Sequence, residues 1–292
     1  MTLQHHFFNF RRSAILLTLI WLAIFVLIPH ILVFLTSFMT PDAQHLVVWP
    51  ITLDSYKRLW EPLYVEVLGH SVWLAFLTTV MCFLLGYPFA YIVARLPTMW
   101  RGILLFLLVI PFWTNSLIRT YAIKLILGNK GLINLALMGL GITEEPIELL
   151  YTEFAVVFGL VYVLLPFMIL PLVASFEKVD QSLIEAAMDL GANFIQRLWH
   201  IVLPLTMPGI VAGSLIVFLP AMGMFYVSDL LGGAKNLLVG NIIRNQFLVV
   251  RDWPFGSALS MSLIVMMALL IWVYFRANKR IDRQGGLDDD GI

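Results

Sequence analysis

Six stretches of the 292-residue chain are apolar over the length a helix needs to cross a bilayer, roughly 20 residues, and this limits the fold more than any other feature. Charged residues make up 12% of the chain, about half the share usual in soluble domains, so these runs belong in lipid. The expected fold is an all-α membrane protein of about six transmembrane helices. The first span covers residues 14–36 and contains Pro29; the second covers 67–94. The third begins at 102, is interrupted at Pro111, and continues through Arg119 and Lys124 to 127. The fourth covers 154–176 with Pro166 and Pro171, the fifth 204–228, and the sixth 257–275. Arg11 and Arg12 ahead of the first run look superficially like a secretory signal. That run has the length of a full span and no small-residue cleavage site follows it, so it reads as a retained helix.

A broken membrane helix is tolerated where protein or a water-filled cavity covers the freed backbone groups. Phe112, Trp113 and Asn115, at the break beside Pro111, are therefore candidates to line a transport pathway, with simple packing of a kink as the alternative. Clear mid-span carboxylates are lacking. Asp229, with Tyr226 and Ser228 just before it, falls at the mouth of the fifth span. A carboxylate beside an aromatic face suits an ammonium group by charge and cation–π attraction; the alternative is an interface aspartate capping a loop, with Tyr226 as a headgroup-level anchor. Gly209 and Gly213, four apart, suit close packing of the fifth span on another helix.

Several chemistries are excluded. Net charge is zero, which leaves no electrostatic footprint for nucleic acid. Cys82 is the single cysteine, so no internal disulfide or cysteine-based zinc site can form. The histidines (His5, His6, His30, His45, His70, His200) make no ligand cluster beyond the adjacent first pair, and no metal site is expected. There is no phosphate-cradling Gly-x-x-x-x-Gly-Lys-Ser/Thr loop and no His-Glu-x-x-His. The chain is therefore expected to be no enzyme, with the energy source on another polypeptide.

Between the fourth and fifth spans lies a polar, helix-prone island, Glu185 to Pro204. Ser182 followed by Glu185 is a capping-box spacing that predicts a helix start. Leu183, Ala186, Ala187 and Leu190 repeat at helical spacing, and Gly191 can take the left-handed conformation that ends a helix. A second short helical run is expected next, with Pro204 opening the fifth span, since proline fits a first helical turn. Such an island in a membrane protein points to a docked partner. Small side chains at Ala186 and Ala187 admit a close approach, and Glu185 and Asp189 offer charge; capping of its own helix is the alternative for Glu185.

The spacing Glu185-Ala186-Ala187, Gly191, Ile201, Leu203-Pro204 resembles the EAA loop of the permease subunits of ABC importers. Pro111-Phe112-Trp113-Thr114-Asn115-Ser116-Leu117-Ile118-Arg119, Leu219-Pro220-Ala221-Met222-Gly223, Phe225-Tyr226-Val227-Ser228-Asp229-Leu230, Gly232-Gly233-Ala234-Lys235-Asn236 and Arg251-Asp252-Trp253-Pro254-Phe255 are similar to the permeases of bacterial spermidine/putrescine importers. This likeness runs from about Trp49 to Phe275. It implies the type I ABC importer (MetI-like) permease fold in the bacterial inner membrane. Residues 1–13 would be a cytoplasmic segment, 14–36 the first helix and 37–66 a periplasmic connection. Residues 67–276 would be a five-helix permease core, within which 177–204 form the cytoplasmic docking loop, and 277–292 a cytoplasmic tail. It further implies a second homologous permease subunit, an ATPase subunit dimer that alone holds ATP and Mg, and a periplasmic polyamine-binding protein. Glu185, Ala186, Ala187, Asp189, Gly191 and Pro204 would dock the ATPase.

Charge agrees with that orientation. With both termini inside, ten Lys and Arg are inside and hug span ends, while eight are spread over three long outside loops. Other cargoes stay open: another amine, thiamine, or a ferric or oxyanion complex, for which Arg119, Lys124, Lys235 and Arg244 are the relevant cations. A passive channel would leave the island unexplained, and a membrane-embedded enzyme would need paired polar groups that the spans lack.

Overall fold

The computed structural model describes residues 2–42 and 46–285. His45 and the acidic tail Asp288 to Asp290 lie outside the described residues, as do the side chains of residues 2–11, 235, 273, 274 and 277–285. The described chain is helical apart from one isolated bridge between Thr40 and Val48. Among the described residues, six helices are long and apolar enough to cross a membrane. The chain divides into two compact units, one taking in residues up to Val65 with Ile242–Met266, the other Glu66–Asn241 with Met267 onward.

In the first unit, α1 (Arg12–Thr36) has none of its apolar window buried. Pro29 does not break it. A π turn at Ala23–Leu27, just ahead of the proline, lets the helix pass, because the wider turn accommodates a ring that would otherwise strike the carbonyl four residues earlier. Ser37, fully buried just past its end, donates to Phe34 O at 2.6 Å and meets the Tyr56 hydroxyl at 2.8 Å. A short helix, α2 (Asp54–Arg58), presents Arg58 to Asp252 at 2.7 Å, with its guanidinium 4.1 Å above the Phe255 ring. Burial pulls the Arg58 pKa down, but the hydrogen bond and charge of Asp252 outweigh it and hold the group above its ordinary value. The same carboxylate accepts from the Phe255 N–H at 3.1 Å, inside the first turn of the last helix.

The second unit is built on α3 (Pro62–Ala94), α4 (Thr98–Val109), α5 (Ser116–Leu127), α6 (Leu132–Gly139), α7 (Glu153–Phe176), α8 (Gln181–Asp189) and α9 (Phe194–Gly223). The start of α10 (Val239–Asn245), up to Asn241, and the last part of α11 (Trp253–Gly285), from Met267, also belong here, as α3 does from Glu66 on. The centre is α7, with 67% of its apolar window buried against 28% for α3 and α9. Leu160, Leu164, Met168, Ile169 and Leu172 are its inward residues, all essentially inaccessible. The glycine pair does what its spacing suggests: a Cβ at Gly209 would lie 2.7 Å from Pro171 O, and one at Gly213 would lie 2.8 Å from Met168 Sδ, so α9 rides directly on α7. Tyr87 of α3 meets Thr206 of α9 at 3.1 Å and ties a third helix to the pair.

Three expectations are corrected. The fifth span does not begin at Pro204 or end at Ser228. The helix starts at Phe194, passes Pro204 by way of a π turn at Leu198–Val202, and stops at Gly223, where Met224 turns the chain. The third span is broken where expected, but the chain beyond Leu127 is not simply loop: α6 follows, and the apolar helical run extends to Gly139. The last helix starts at Trp253 and runs well past 275.

The α7–α9 contact gives a direct test. Gly209→Ala places a methyl against backbone oxygen, an overpacking that costs about 1–3 kcal/mol. The purified protein in detergent should melt several degrees lower, whereas alanine at Gly139, which meets nothing within 4 Å, should leave the melting temperature within a degree or so.

Candidate functional site

The elbow between α7 and α9 consists of α8 and the turn after it. Asp180, not Ser182, is its N-cap: the carboxylate accepts from the Ser182 N–H at 3.0 Å, so the helix starts one residue before Ser182. That hydrogen bond favours the charged form and lowers the Asp180 pKa. Glu185 therefore caps nothing. It stands exposed, as do Ala186 and Asp189, while Ile184 and Ala187 turn inward. The apolar face is thus rotated from the Leu183, Ala186, Ala187, Leu190 stripe that spacing suggested.

The far end of α8 closes as a Schellman turn. Gly191 sits at φ +80°, its N–H donates to Met188 O at 2.9 Å, and the Ala192 N–H donates to Ala187 O at 2.9 Å. A full capping box does form nearby, beyond Gly191 rather than ahead of α8: Asn193 and Gln196 exchange bonds of 2.8 and 2.9 Å and start α9. Pro204 lies further on, within α9 and behind the elbow surface. That surface is apolar. Leu190 is 89% exposed, and Met188, Phe194, Ile195 and Trp199 are exposed around it. With Glu185, Asp189 and Gln196 interleaved, it suits neither lipid nor bulk water.

At the second candidate region, Pro111 has no N–H to extend α4. The chain passes through a tight turn, Ile110–Trp113, into two extended residues. Thr114 closes the turn by donating to Pro111 O at 2.8 Å, and Asn115 accepts from the Leu117 N–H at 2.8 Å to cap α5. Trp113 is largely exposed, with its ring edge-on to Phe106 at 5.8 Å. Phe112 packs edge-on against Phe167 at 5.1 Å, with the Arg119 guanidinium 5.2 Å from its centroid.

Beside α5 runs the turn that follows α9. Here Tyr226 is half-buried and Ser228 fully buried, its hydroxyl donating inward to Asn236 O. Asp229 accepts from Asn241 Nδ2 at 2.5 Å, and the same amide donates to Phe225 O at 3.0 Å while its oxygen takes the Leu238 N–H at 2.9 Å. The structure therefore brings the two candidate groups onto neighbouring elements, but Ser228 and Asn115 act within the fold rather than as open faces.

Residues 82–284 match the family described as the binding-protein-dependent transport system inner membrane component. The chain belongs to this family. Among its relatives, the spermidine/putrescine transport system permease protein PotB of Haemophilus influenzae is 54% identical over 280 residues, covering 96% of this chain and 98% of that one. PotB of Escherichia coli is 53% identical over 92% of this chain and 98% of its own length. The molybdenum transport system permease protein ModB of Mycobacterium bovis is 30% identical over 78% of this chain and 86% of its own. A solved bacterial ABC transporter involved in the import of the acidic polysaccharide alginate has a chain that superposes with a TM-score of 0.74. It is 17% identical, with 93% of this chain and 96% of that one covered, and shows the shared fold.

For this inner-membrane transport component, the sequence did not reveal the polar braces that hold the turn after α9. Ser71 of α3 accepts the Val239 N–H at 2.8 Å, Tyr151 donates its N–H to Leu231 O at 2.8 Å, and Asn236 donates to Gly232 O at 3.1 Å. The first two pairs are far apart in sequence, 168 residues for Ser71 and Val239, and nothing in local spacing announces them.

The elbow's two caps make separate predictions. Gly191→Ala has room for its methyl but keeps a positive φ, a backbone cost of about 1 kcal/mol. Amide exchange over residues 186–190 should quicken about fivefold. Asp180→Ala should also loosen the helix, whereas Asp180→Asn should retain it. Because the Asp180 pKa is depressed on folding, its stabilisation is present above the unfolded carboxylate value and fades as pH falls through the folded one. Once the intrinsic slowing of exchange in acid is divided out, wild-type protection of these amides should therefore fall only in acid, and the Asp180→Asn substitution should abolish that loss.

Proposed function

We propose that this chain is one permease of an ATP-driven importer that carries spermidine and putrescine across the bacterial inner membrane. Near-full-length identity above one half to permeases of that name is the observation that carries the reading; the molybdenum relative is far more distant. Both termini face the cytoplasm, and residues 177–204 form a cytoplasmic elbow. The domain map set out from the sequence is kept, with the permease core at 67–276 and the connection at 37–66 periplasmic.

In this reading the exposed face of α8, with Glu185, Ala186 and Asp189, seats in a cleft of an ATPase subunit. Gly191 sets the angle at which α8 meets α9, and Pro204 lies further along α9, where the π turn shapes the helix behind the docked face. The exposed Met188, Leu190 and Phe194 supply the apolar contact, and Glu185 meets a basic group. This chain holds no nucleotide; ATP and Mg belong to the ATPase dimer. A second homologous permease completes the pathway, and a periplasmic binding protein delivers the cargo. Closure of the ATPases moves α8, and α9, continuous from the elbow to Gly223, carries the displacement to the turn that holds Asp229.

Phe112, Trp113, Tyr226 and Asp229 are assigned to the polyamine pathway. Aromatic faces and a single carboxylate attract an ammonium group by cation–π and Coulomb terms. Asn115 and Ser228 hold the two segments in shape.

The assembled transporter, reconstituted with its binding protein, should take up labelled spermidine and putrescine only with ATP. Asp229→Asn keeps an acceptor for Asn241 but removes the charge, and should raise the half-saturating polyamine concentration about three- to tenfold without loss of assembly. Polyamine uptake that needs no ATP, or an assembly that moves molybdate and no polyamine, would overturn the assignment.

A further inference from the structure

Behind the elbow lies a cavity of about 360 Å³ that none of the roles above uses. Its wall is formed by Tyr91 and Arg95 at the end of α3, Arg101 in α4, Glu177 just past α7, and Gln181 and Ile184 of α8. All of these lie in the second unit.

The charges are arranged for an anion. Arg95 lies over Tyr91, its guanidinium carbon 3.9 Å from the ring centroid, and no carboxylate pairs with it among the described residues. Arg101 reaches Glu177 through one nitrogen at 3.2 Å. Two guanidinium groups thus face one carboxylate, leaving a net positive charge in a cavity whose mouth is open to solvent. A cationic ligand would find both its natural receptors taken, since Arg95 covers the Tyr91 face and Arg101 holds Glu177.

Depth supplies the second argument. Between the two arginines the chain reads Leu96-Pro97-Thr98-Met99-Trp100, with Met99 and Trp100 exposed at 73% and 58%. Tryptophan at a span end marks the headgroup level of a bilayer, where guanidinium groups meet lipid phosphate. Guanidinium also forms paired hydrogen bonds with phosphate oxygens that a lysine would not reproduce.

We infer that this cavity binds the phosphate of an anionic phospholipid and that the bound headgroup braces α8 against α3 and α4. Lipid composition then tunes how firmly the elbow is held. The leaflet concerned rests on the orientation proposed above. Lipid retention is read without transport, however, so a failure of polyamine uptake and a failure of this inference are separate results.

The test uses the intact assembly of both permeases and the ATPase, in detergent with equal amounts of phosphatidylglycerol and phosphatidylcholine, followed by native mass spectrometry. Wild type should retain phosphatidylglycerol preferentially. Arg95→Gln and Arg101→Gln should each weaken that retention about fivefold, and Arg95→Lys should recover only part of it. A parallel arm adds inorganic phosphate. Binding of phosphate with no preference for phosphatidylglycerol would uphold the anion site and assign it to free phosphate. Equal retention of the two lipids by wild type, with no effect of phosphate on the melting temperature, would overturn the inference even if the arginine variants failed to assemble.

Discussion

Lipid offers no hydrogen bonds, so wherever this chain leaves regular helix near the bilayer the freed backbone groups must be met from within. The irregular points answer that demand in different ways. At Pro29 and Pro204 the helix widens by one π turn and continues, losing little. At Pro111 it stops, and Thr114 and Asn115 take over as caps. After Gly223 the backbone turns on Met224, and Ser228, Asn236 and Asn241 serve carbonyls and N–H groups of the following segment. The last two points, both assigned to the proposed pathway, recruit side-chain caps, as the elbow does through Asp180 and Asn193.

The close approach of α9 to α7 has a mechanical consequence. Two helices brought this close at Gly209 and Gly213, where Ser175 and Met168 of α7 fill the space a Cβ would take, leave little slack between them to absorb a displacement. Each joins the elbow to the opposite end of the second unit: α7 begins after Tyr151, whose N–H bonds to Leu231, and α9 leads into the turn containing Leu231. Gly159 extends the contact, since a Cβ there would strike the Leu231 side chain. In the proposed importer, a push on α8 would be resisted by packing along the whole pair and felt at the Phe225–Gly232 segment.

Much of this was legible because the strongest physical demands leave strong traces in composition. Six spans follow from the cost of burying charge and backbone in hydrocarbon; Gly191 and the Gly209/Gly213 pair follow from having no Cβ. The misreadings arose where two residues could satisfy one rule. Asp180 and Ser182 are both eligible caps, and the choice fell to Asp180 because the preceding turn leaves it, rather than Ser182, in an extended conformation. Pro204 looked like a helix start, yet a π turn lets proline sit inside a longer helix, an option that residue types alone do not display. The polar braces around Asp229 were out of reach altogether, since Ser71 and Val239 meet only once the helices have packed.

That hidden bracing bears on how strongly the proposed pathway would hold its cargo. Asp229 is not a bare charge awaiting a cation, because Asn241 already donates to it at 2.5 Å. An amide donor spreads the carboxylate's charge into a neutral hydrogen bond and lowers what an incoming ammonium group would gain. The same economy appears at Phe112, where Arg119 stands over the ring that a cargo ammonium would seek. In the proposed importer, a polyamine entering here meets sites already partly satisfied by the protein, so each contact is weak. Conduction requires binding strong enough to admit the cargo and weak enough to let it go. A chain with scarcely an acid in its spans meets the second half of that requirement, which leaves selection to a protein that meets the cargo before the membrane does.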